Sequence, residues 1–249
     1  GKLLPLLPEY CETAMRRPGG FMQKLAGLLF MPVPQVPLVS IFSSVLYSLI
    51  MSIVIFTNFE KTQTTEILFF GLFVLSFVFE TFRIMVPLQG IFEVSPVLLI
   101  AGTRMLIFGR LFGTLALFTS SIYAAGFNMQ KQGRVITAII IGILVVSFRL
   151  PVDGFSWDTS FTMLFAYSTM LRFTENILAV ITGMSFLAAS FSKGIGDYRL
   201  IALGALLVFM GRSMLSGAET WIVPFPALVI LAIGTWFITA RLHKVYLWL

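Results

Sequence analysis

The sequence predicts an all-α integral membrane protein: a bundle of about seven transmembrane helices with an interfacial N-terminal segment. Composition is the first reason. Of the 249 residues, 58% are hydrophobic and only 11% are charged, whereas a soluble domain carries about 25% charged residues. A chain with a mean hydropathy of +0.96 cannot cover its surface with polar groups. We therefore expect lipid to solvate most of it.

The second reason is a series of seven apolar stretches, each long enough for the roughly 20 residues that a helix needs to cross a bilayer. The predicted spans cover residues 36–59, 64–89, 97–127, 134–150, 159–191, 199–220 and 223–243. Short segments that are polar or contain Pro and Gly separate these spans, and none is long enough to form a domain. The predicted domains are an N-terminal segment, 1–35, and a transmembrane bundle, 36–249.

The N-terminal segment differs from the rest in being basic and interrupted. Its apolar run Leu25–Val33 follows Arg16 and Arg17, and the prolines Pro32 and Pro34 end it. The run is too short to cross a bilayer. We expect an amphipathic segment that lies in the headgroup layer, and a re-entrant or broken segment remains the alternative.

Three of the predicted spans carry patterns that indicate helix packing or a membrane boundary. The first has a row of serines four residues apart, which we expect to bond to a neighbouring helix: Ser40, Ser44, Ser48 and Ser52. The third has a face of small residues that favours close approach of another helix: Gly102, Gly109 and Gly113. The last ends in Tyr246 and Trp248, which resemble an interfacial aromatic anchor.

The distribution of Lys and Arg predicts the orientation. Seven of these residues lie at the face that holds loops 1–2, 3–4 and 5–6 and the C-terminus: Lys61, Lys131, Arg134, Lys193, Arg199, Arg241 and Lys244. The loops of the opposite face offer only Arg149. The positive-inside rule therefore places the C-terminus in the cytoplasm and the N-terminus outside. The basic residues of segment 1–35 disagree with this assignment.

The most informative residues are ionisable ones inside the predicted helices. They are Glu80, Arg83, Arg104, Arg110, Arg172, Glu175 and Arg212. Each such residue costs about 2.5–3.5 kcal/mol at the centre of a spanning helix. They lie on stripes of polar or small residues at helical spacing, which predicts that they face the interior of the bundle. In the second span this stripe is Ser76, Glu80, Arg83 and Pro87.

Arginine is in excess within this set. With Arg149 and Glu219 at helix ends, the predicted cluster holds six Arg and three Glu, a surplus of three positive charges. Guanidinium groups cannot lose their proton to escape burial, so an anion such as a carboxylate, a phosphate or a lipid headgroup is expected. We expect Arg110, Arg172 and Arg212 to hold it, with Glu80 and Glu175 orienting the arginines.

The alternative for these charges is structural. Glu80 with Arg83, and Arg172 with Glu175, are i,i+3 pairs that would neutralise each other and fix helix register. Arg149 and Glu219 would then extend to the interface.

Several functional classes lack their residues in this sequence. One cysteine, Cys11, and one histidine, His243, leave no ligand set for a multi-cysteine metal site and no base for a Ser-His-Asp triad. We therefore expect neither a cofactor nor an enzyme. The pI near 9.7 is expected to reflect membrane orientation rather than nucleic-acid binding.

Two seven-helix families were tested by their defining residues. A retinal protein needs a Schiff-base lysine inside its last helix, but here the corresponding lysine, Lys244, lies at the cytoplasmic end. Family A G-protein-coupled receptors end helix 3 in an acidic-Arg-aromatic triplet, whereas this span ends Ala125-Gly126-Phe127-Asn128. Neither family is expected.

Three functions remain. The first is a sensor or receptor component that binds an anionic small molecule or lipid headgroup in an outward-opening, Arg-rich cavity. The second is a transporter or channel that uses the same charges as a permeation or proton route. The third is a structural subunit of a larger membrane complex. The expected partners are the lipid bilayer, an anionic ligand or lipid, and other membrane proteins.

Overall fold

The computed structural model describes residues 35–59, 64–92, 95–126, 132–151, 158–162 and 168–247. Within these ranges the chain is helical apart from turns and short connections, and it contains no strand. The predicted N-terminal segment lies outside the described residues except for its last position. Its place at the membrane surface stays a prediction.

Seven helices in the described ranges are long and apolar enough to cross a membrane, which confirms the predicted fold class. Six of them are single α-helices: α1 (Gln35–Phe59), α3 (Pro96–Ala124), α4 (Gln132–Arg149), α5 (Ser168–Lys193), α6 (Asp197–Ser216) and α7 (Pro224–Leu247). Their outer surfaces carry large exposed apolar side chains, among them Phe42, Phe56, Phe191 and Trp236. Such surfaces are stable in contact with lipid.

The second spanning helix is composite, although the sequence predicts a continuous α-helix. It consists of α2a (Thr65–Leu75), a 3₁₀ helix (Ser76–Ile84) and α2b (Met85–Phe92). A 3₁₀ stretch of nine residues is unusually long, because runs beyond three or four residues are uncommon. Tertiary contacts must therefore stabilise this segment, and it contains both Glu80 and Arg83.

The predicted start of the fifth span at residue 159 is wrong. Residues 158–162 form a turn in which the Asp158 N–H donates to Thr162 O at 2.9 Å, and α5 begins only at Ser168. Ser160 and Thr162 are nevertheless buried. Non-helical backbone is tolerated inside a membrane protein where the protein satisfies its polar groups. Here an arginine from the 3₁₀ helix bonds to the Ser160 carbonyl.

Helix α3 lies at the centre of the bundle, against the second helix, α4 and α5, while α6 packs against α7, α5 and α1. The predicted small-residue face allows this packing. A Cβ at Gly102, Gly109 or Gly113 would overlap side chains of Met85, Phe79 or Ser76, respectively.

The predicted serine row is confirmed in part. Ser40 Oγ donates to Leu215 O of α6, and Ser48 Oγ donates to Val74 O of α2a at 2.9 Å. Ser44 instead bonds within its own helix, to Ser40 O. The fourth position, Ser52, has no hydrogen-bond partner among the described residues.

The two ends of the bundle differ in their polar contacts. At the end rich in Lys and Arg, Lys193 Nζ lies 3.7 Å from Glu66 Oε1, and Asp197 pairs with Arg241 at 3.0 Å and with Lys244 at 3.2 Å. These three salt bridges join α2a to α5, and α6 to α7. The 158–162 turn and the C-terminus of α6 lie at the opposite end.

The orientation can be tested by cysteine labelling in a Cys11→Ser background. Thr159 and Arg199 are both exposed and lie at opposite ends of the bundle. We expect a membrane-impermeant maleimide to label Thr159→Cys in intact cells, and Arg199→Cys only after permeabilisation. Ser160→Cys, which is buried, provides the unlabelled control. The opposite labelling pattern would reverse the predicted orientation.

Candidate functional site

The 3₁₀ helix aligns the first charged residues of the site. With three residues per turn, positions three apart lie on one face, and Phe77, Glu80 and Arg83 are exposed by only 1%, 2% and 0%. Ser76 is buried as well, whereas Pro87 is half-buried. The predicted inward position of Glu80 and Arg83 is therefore confirmed. The 3₁₀ geometry aligns the two side chains more closely than an α-helix would.

Glu80 forms a bidentate ion pair with Arg110 of α3. Arg110 Nε donates to Oε1 at 2.9 Å, and Arg110 Nη2 donates to Oε2 at 3.0 Å. Arg83 Nη1 lies 3.4 Å from the same Oε2. The planar guanidinium fork suits a carboxylate in this geometry. One carboxylate thus serves two arginines from different helices.

Arg83 is bonded to three groups of the protein. Its Nε and Nη2 donate to the carbonyl of Ser160, with the Nε contact at 3.0 Å. Its Nη1 also lies 3.4 Å from Ser40 Oγ. Arg83 therefore joins the 3₁₀ helix to α1 and to the 158–162 turn, and it has no donor directed at a cavity.

Arg212 of α6 is buried but incompletely bonded. Its guanidinium lies over the rings of Phe73 and Phe77, 5.4 and 5.0 Å from their centroids, which is the geometry of a cation–π contact. Nη2 donates to Gly109 O at 3.2 Å. Nη1 has no hydrogen-bond partner among the described residues. The side chain is only 7% exposed, so the desolvation of this donor is not compensated by a hydrogen bond from the described residues.

A cavity of about 460 Å³ lies beside Arg110 and Arg212, between α3, α5 and α6 and against the 158–162 turn. Its polar wall consists of Arg110, Thr114, Ser160, Thr162, Arg172, Glu175, Asn176, Arg212, Ser213 and Ser216. Leu206, Phe209 and Met210 provide apolar surface. The volume is in the range of small-molecule sites, which measure about 300–1,000 Å³.

Arg172 and Glu175 of α5 line this cavity without pairing. Arg172 is exposed and Glu175 is half-buried. The predicted i,i+3 salt bridge between them is absent from the described structure, in which the ion pairs of the site are those of Glu80. The Glu175 Oε1 atom is buried and has no hydrogen-bond partner within the described ranges. Structural ion pairing, the alternative to a ligand site, thus accounts for the burial of Glu80 but not for the unpaired oxygen of Glu175.

Arg104 lies apart from the cluster. Its guanidinium is 5.4 Å from the centroid of the Phe148 ring on α4, and it does not contribute to the cavity wall. Arg149 is exposed and Glu219 is half-buried. Of the predicted site residues, the structure brings together Glu80, Arg83, Arg110 and Arg212 as one buried group. Arg172 and Glu175 join them at the cavity.

Positive charge remains in excess at this site. The group has three arginines, the buried Arg83 and Arg212 and the partly buried Arg110, against Glu80. Arg172 and Glu175 add one charge of each sign at the cavity wall. The excess is therefore two positive charges (four Arg minus two Glu) if all six groups are ionised. Surplus charge of this kind favours an anion in the cavity.

Two polar groups with tertiary contacts, the Ser160 carbonyl and Glu66, were not predicted from the sequence. The Ser160 carbonyl is a backbone acceptor in a segment predicted to be helical, so no side-chain pattern indicated it. Glu66 lies near the start of the second span and was not among the predicted site residues. It is only 4% exposed and accepts a hydrogen bond from Tyr198 Oη at 3.4 Å. This buried acidic group lies at the end opposite the cavity.

Metal binding finds no support in the described ranges, where no three His, Cys, Asp or Glu residues lie together in a way that could hold an ion. No protein family, curated protein or solved structure matches the chain. Functional inference therefore rests on the geometry of the cavity.

Proposed function

We propose that this polytopic membrane protein is a non-enzymatic sensor or receptor component that binds an anionic small molecule or lipid headgroup in the cavity between α3, α5 and α6. One observation supports this above all: Arg212 lines the cavity, and its buried Nη1 has no hydrogen-bond partner among the described residues. Arginine stays protonated in proteins, so such a donor calls for an anionic or polar acceptor.

The neighbouring groups suit an anion at this place. Arg110 is fixed by Glu80 through two hydrogen bonds, so its guanidinium is held in a defined position at the cavity wall. The exposed Arg172 contributes a third guanidinium from α5. Binding an anion between guanidinium groups on different helices would hold these helices together. A ligand-dependent change in helix packing is the signal that we envisage.

Native mass spectrometry with matched arginine variants tests the proposal. We expect wild type purified in mild detergent to retain a bound anion or anionic lipid, and Arg212→Gln to bind it at least about 30-fold more weakly, the minimum expected for a buried charged contact. Arg172→Gln should also weaken binding. It should not impair folding, because Arg172 is exposed and has no ion pair in the described structure.

Arg104→Gln is the matched control. It removes the same charge from α3, six residues and about 9 Å along the helix from Arg110, but away from the cavity wall. Arg104→Gln should retain the same bound anions or lipids as wild type, with the same affinity. If folded Arg212→Gln and Arg172→Gln retain the same anions with the same affinity as wild type, the proposal is wrong.

A transporter is the second proposal, and the 3₁₀ helix favours it. Interrupted helices next to charged groups near the middle of the membrane are typical of transporter binding sites, and Ser76–Ile84 interrupts the second span at Glu80. Flux of the retained anion into proteoliposomes separates the two proposals. A receptor binds without turnover, whereas a transporter shows flux that Arg212→Gln abolishes.

A further inference from the structure

Two residues of the cavity wall each have a buried polar atom without a hydrogen-bond partner among the described residues, and the two atoms are of opposite character. Arg212 Nη1 on α6 is a donor, and Glu175 Oε1 on α5 is an acceptor. Both are buried, and neither has a hydrogen-bond partner among the described residues. Both residues line the same cavity, yet no salt bridge joins them. An acceptor and a donor that are both buried and both unpaired are rare, since each leaves a desolvation cost uncompensated.

Glu175 differs from Glu80 in having a carboxylate oxygen without a hydrogen-bond partner among the described residues. Both oxygens of Glu80 accept hydrogen bonds from Arg110 or Arg83, and Glu80 is not part of the cavity wall. Glu175 is therefore the acidic group that a ligand in the cavity would meet. A ligand with only negative charge would gain contacts with Arg212 and Arg110 but would lie near this carboxylate and be repelled by it. A ligand that also carries a protonated amine would bond to the arginines through its anionic group and to Glu175 through the amine.

We infer that the ligand of this cavity is zwitterionic, with an anionic group held by Arg212 and Arg110 and a protonated amine held by Glu175. The inference rests on the proposed function and specifies its ligand class. Leu206, Phe209 and Met210 line the remaining wall and suit an apolar portion of the ligand. Amino acids and ethanolamine phospholipids share this chemistry.

The cavity wall is accessible from the side of the bundle. Val180 of α5 and Met210 of α6 both contribute to the wall and are exposed by 56% and 54%. A lipid headgroup could thus enter between these helices. A water-soluble zwitterion would enter instead at the end of the bundle where the 158–162 turn lies.

Pairs of probes that differ in the amine test the inference on purified wild-type protein. Leucine is compared with N-acetylleucine, phosphoethanolamine with ethyl phosphate, and short-chain phosphatidylethanolamine with phosphatidylglycerol. In at least one pair we expect the amine-bearing probe to bind about tenfold tighter or more, the effect of one charge-assisted hydrogen bond. The pair that responds identifies the source, since the first two are soluble and the third is lipid.

Glu175→Gln is the diagnostic variant. It should bring the affinity ratio within the responding pair to about 1 and should bind the amine-free probe at least as tightly as wild type, because the repulsion is removed. Arg212→Gln should weaken both members of the pair. Glu175→Gln should fold normally, since Glu175 makes no salt bridge in the described structure. If Glu175→Gln does not fold, the comparison of amine-bearing and amine-free probes on the wild-type protein still decides the question.

Two results would overturn the inference, and they differ in their meaning. If amine-free probes bind as tightly as their amine-bearing partners, and do so in an Arg212-dependent way, the site binds simple anions and the proposed function stands. If no probe in any pair shows binding that depends on Arg212, the proposed function fails together with the inference.

Discussion

Glu80→Gln is expected to lower the free energy of unfolding by about 3–5 kcal/mol, the usual cost of removing one partner from a buried ion pair. Glu80 is the carboxylate that balances Arg110 and Arg83, at 2.9 and 3.4 Å. Its loss leaves guanidinium charge buried without compensation. Equilibrium unfolding in bicelles or detergent measures this effect.

Glu175→Gln provides the matched control, because it removes the same charge from a carboxylate without a salt bridge in the described structure. We expect its stability to lie within about 0.5 kcal/mol of wild type. The double variant Glu80→Gln/Arg110→Gln should recover part of the loss, with a coupling energy of about 1–3 kcal/mol for groups in direct contact. Equal stability of Glu80→Gln and wild type would show that Glu80 does not stabilise the cluster.

Gly113→Leu is expected to destabilise the protein by about 2–3 kcal/mol, at the upper part of the usual range for overpacking. Position 113 lies where α3 meets the 3₁₀ helix and α6, and an added Cβ would overlap Ser76 Oγ and Arg212 Nη1. The substitution therefore displaces Arg212 from its place beside Phe77. Anion binding should weaken along with stability.

Gly71→Leu is the control for this substitution. It introduces the same side chain into another transmembrane glycine position, where no atom lies within 4 Å of the added Cβ. We expect a change in stability within about 0.5 kcal/mol and no change in binding. If Gly113→Leu and Gly71→Leu behave alike, then the close packing of α3 does not position Arg212.

The sequence predicted the features that depend on hydropathy and on charge. Lipid-spanning helices require long apolar runs, so six spans agree with the structure to within four residues at either end. Charged residues avoid lipid, so Glu80, Arg83 and Arg212 were expected inside and are buried. Small residues on one face of α3 predicted close helix packing, which the structure shows at Gly102, Gly109 and Gly113.

Other features depend on contacts that a single sequence does not encode locally. The 158–162 turn adjoins a long apolar run, but its backbone is held by the hydrogen bond from Asp158 N–H to Thr162 O and by the bonds from Arg83 to the Ser160 carbonyl. Which acidic residue pairs with which arginine also depends on tertiary structure. Arg110 forms a salt bridge with Glu80 of another helix. Glu175 lies only three residues from Arg172 in the sequence, but it forms no salt bridge in the described structure.

The 3₁₀ helix also determines the length and rotation of the second span. A 3₁₀ helix rises about 2.0 Å and turns about 120° per residue, compared with about 1.5 Å and 100° in an α-helix. Conversion of the nine residues Ser76–Ile84 to α geometry would shorten the span by about 4–5 Å and rotate α2b by about half a turn. Because Glu80 and Arg83 are three residues apart, their shared face exists in full only in the 3₁₀ form. The ion pairs of Glu80 with Arg83 and Arg110 therefore favour the longer, 3₁₀ form of the second span.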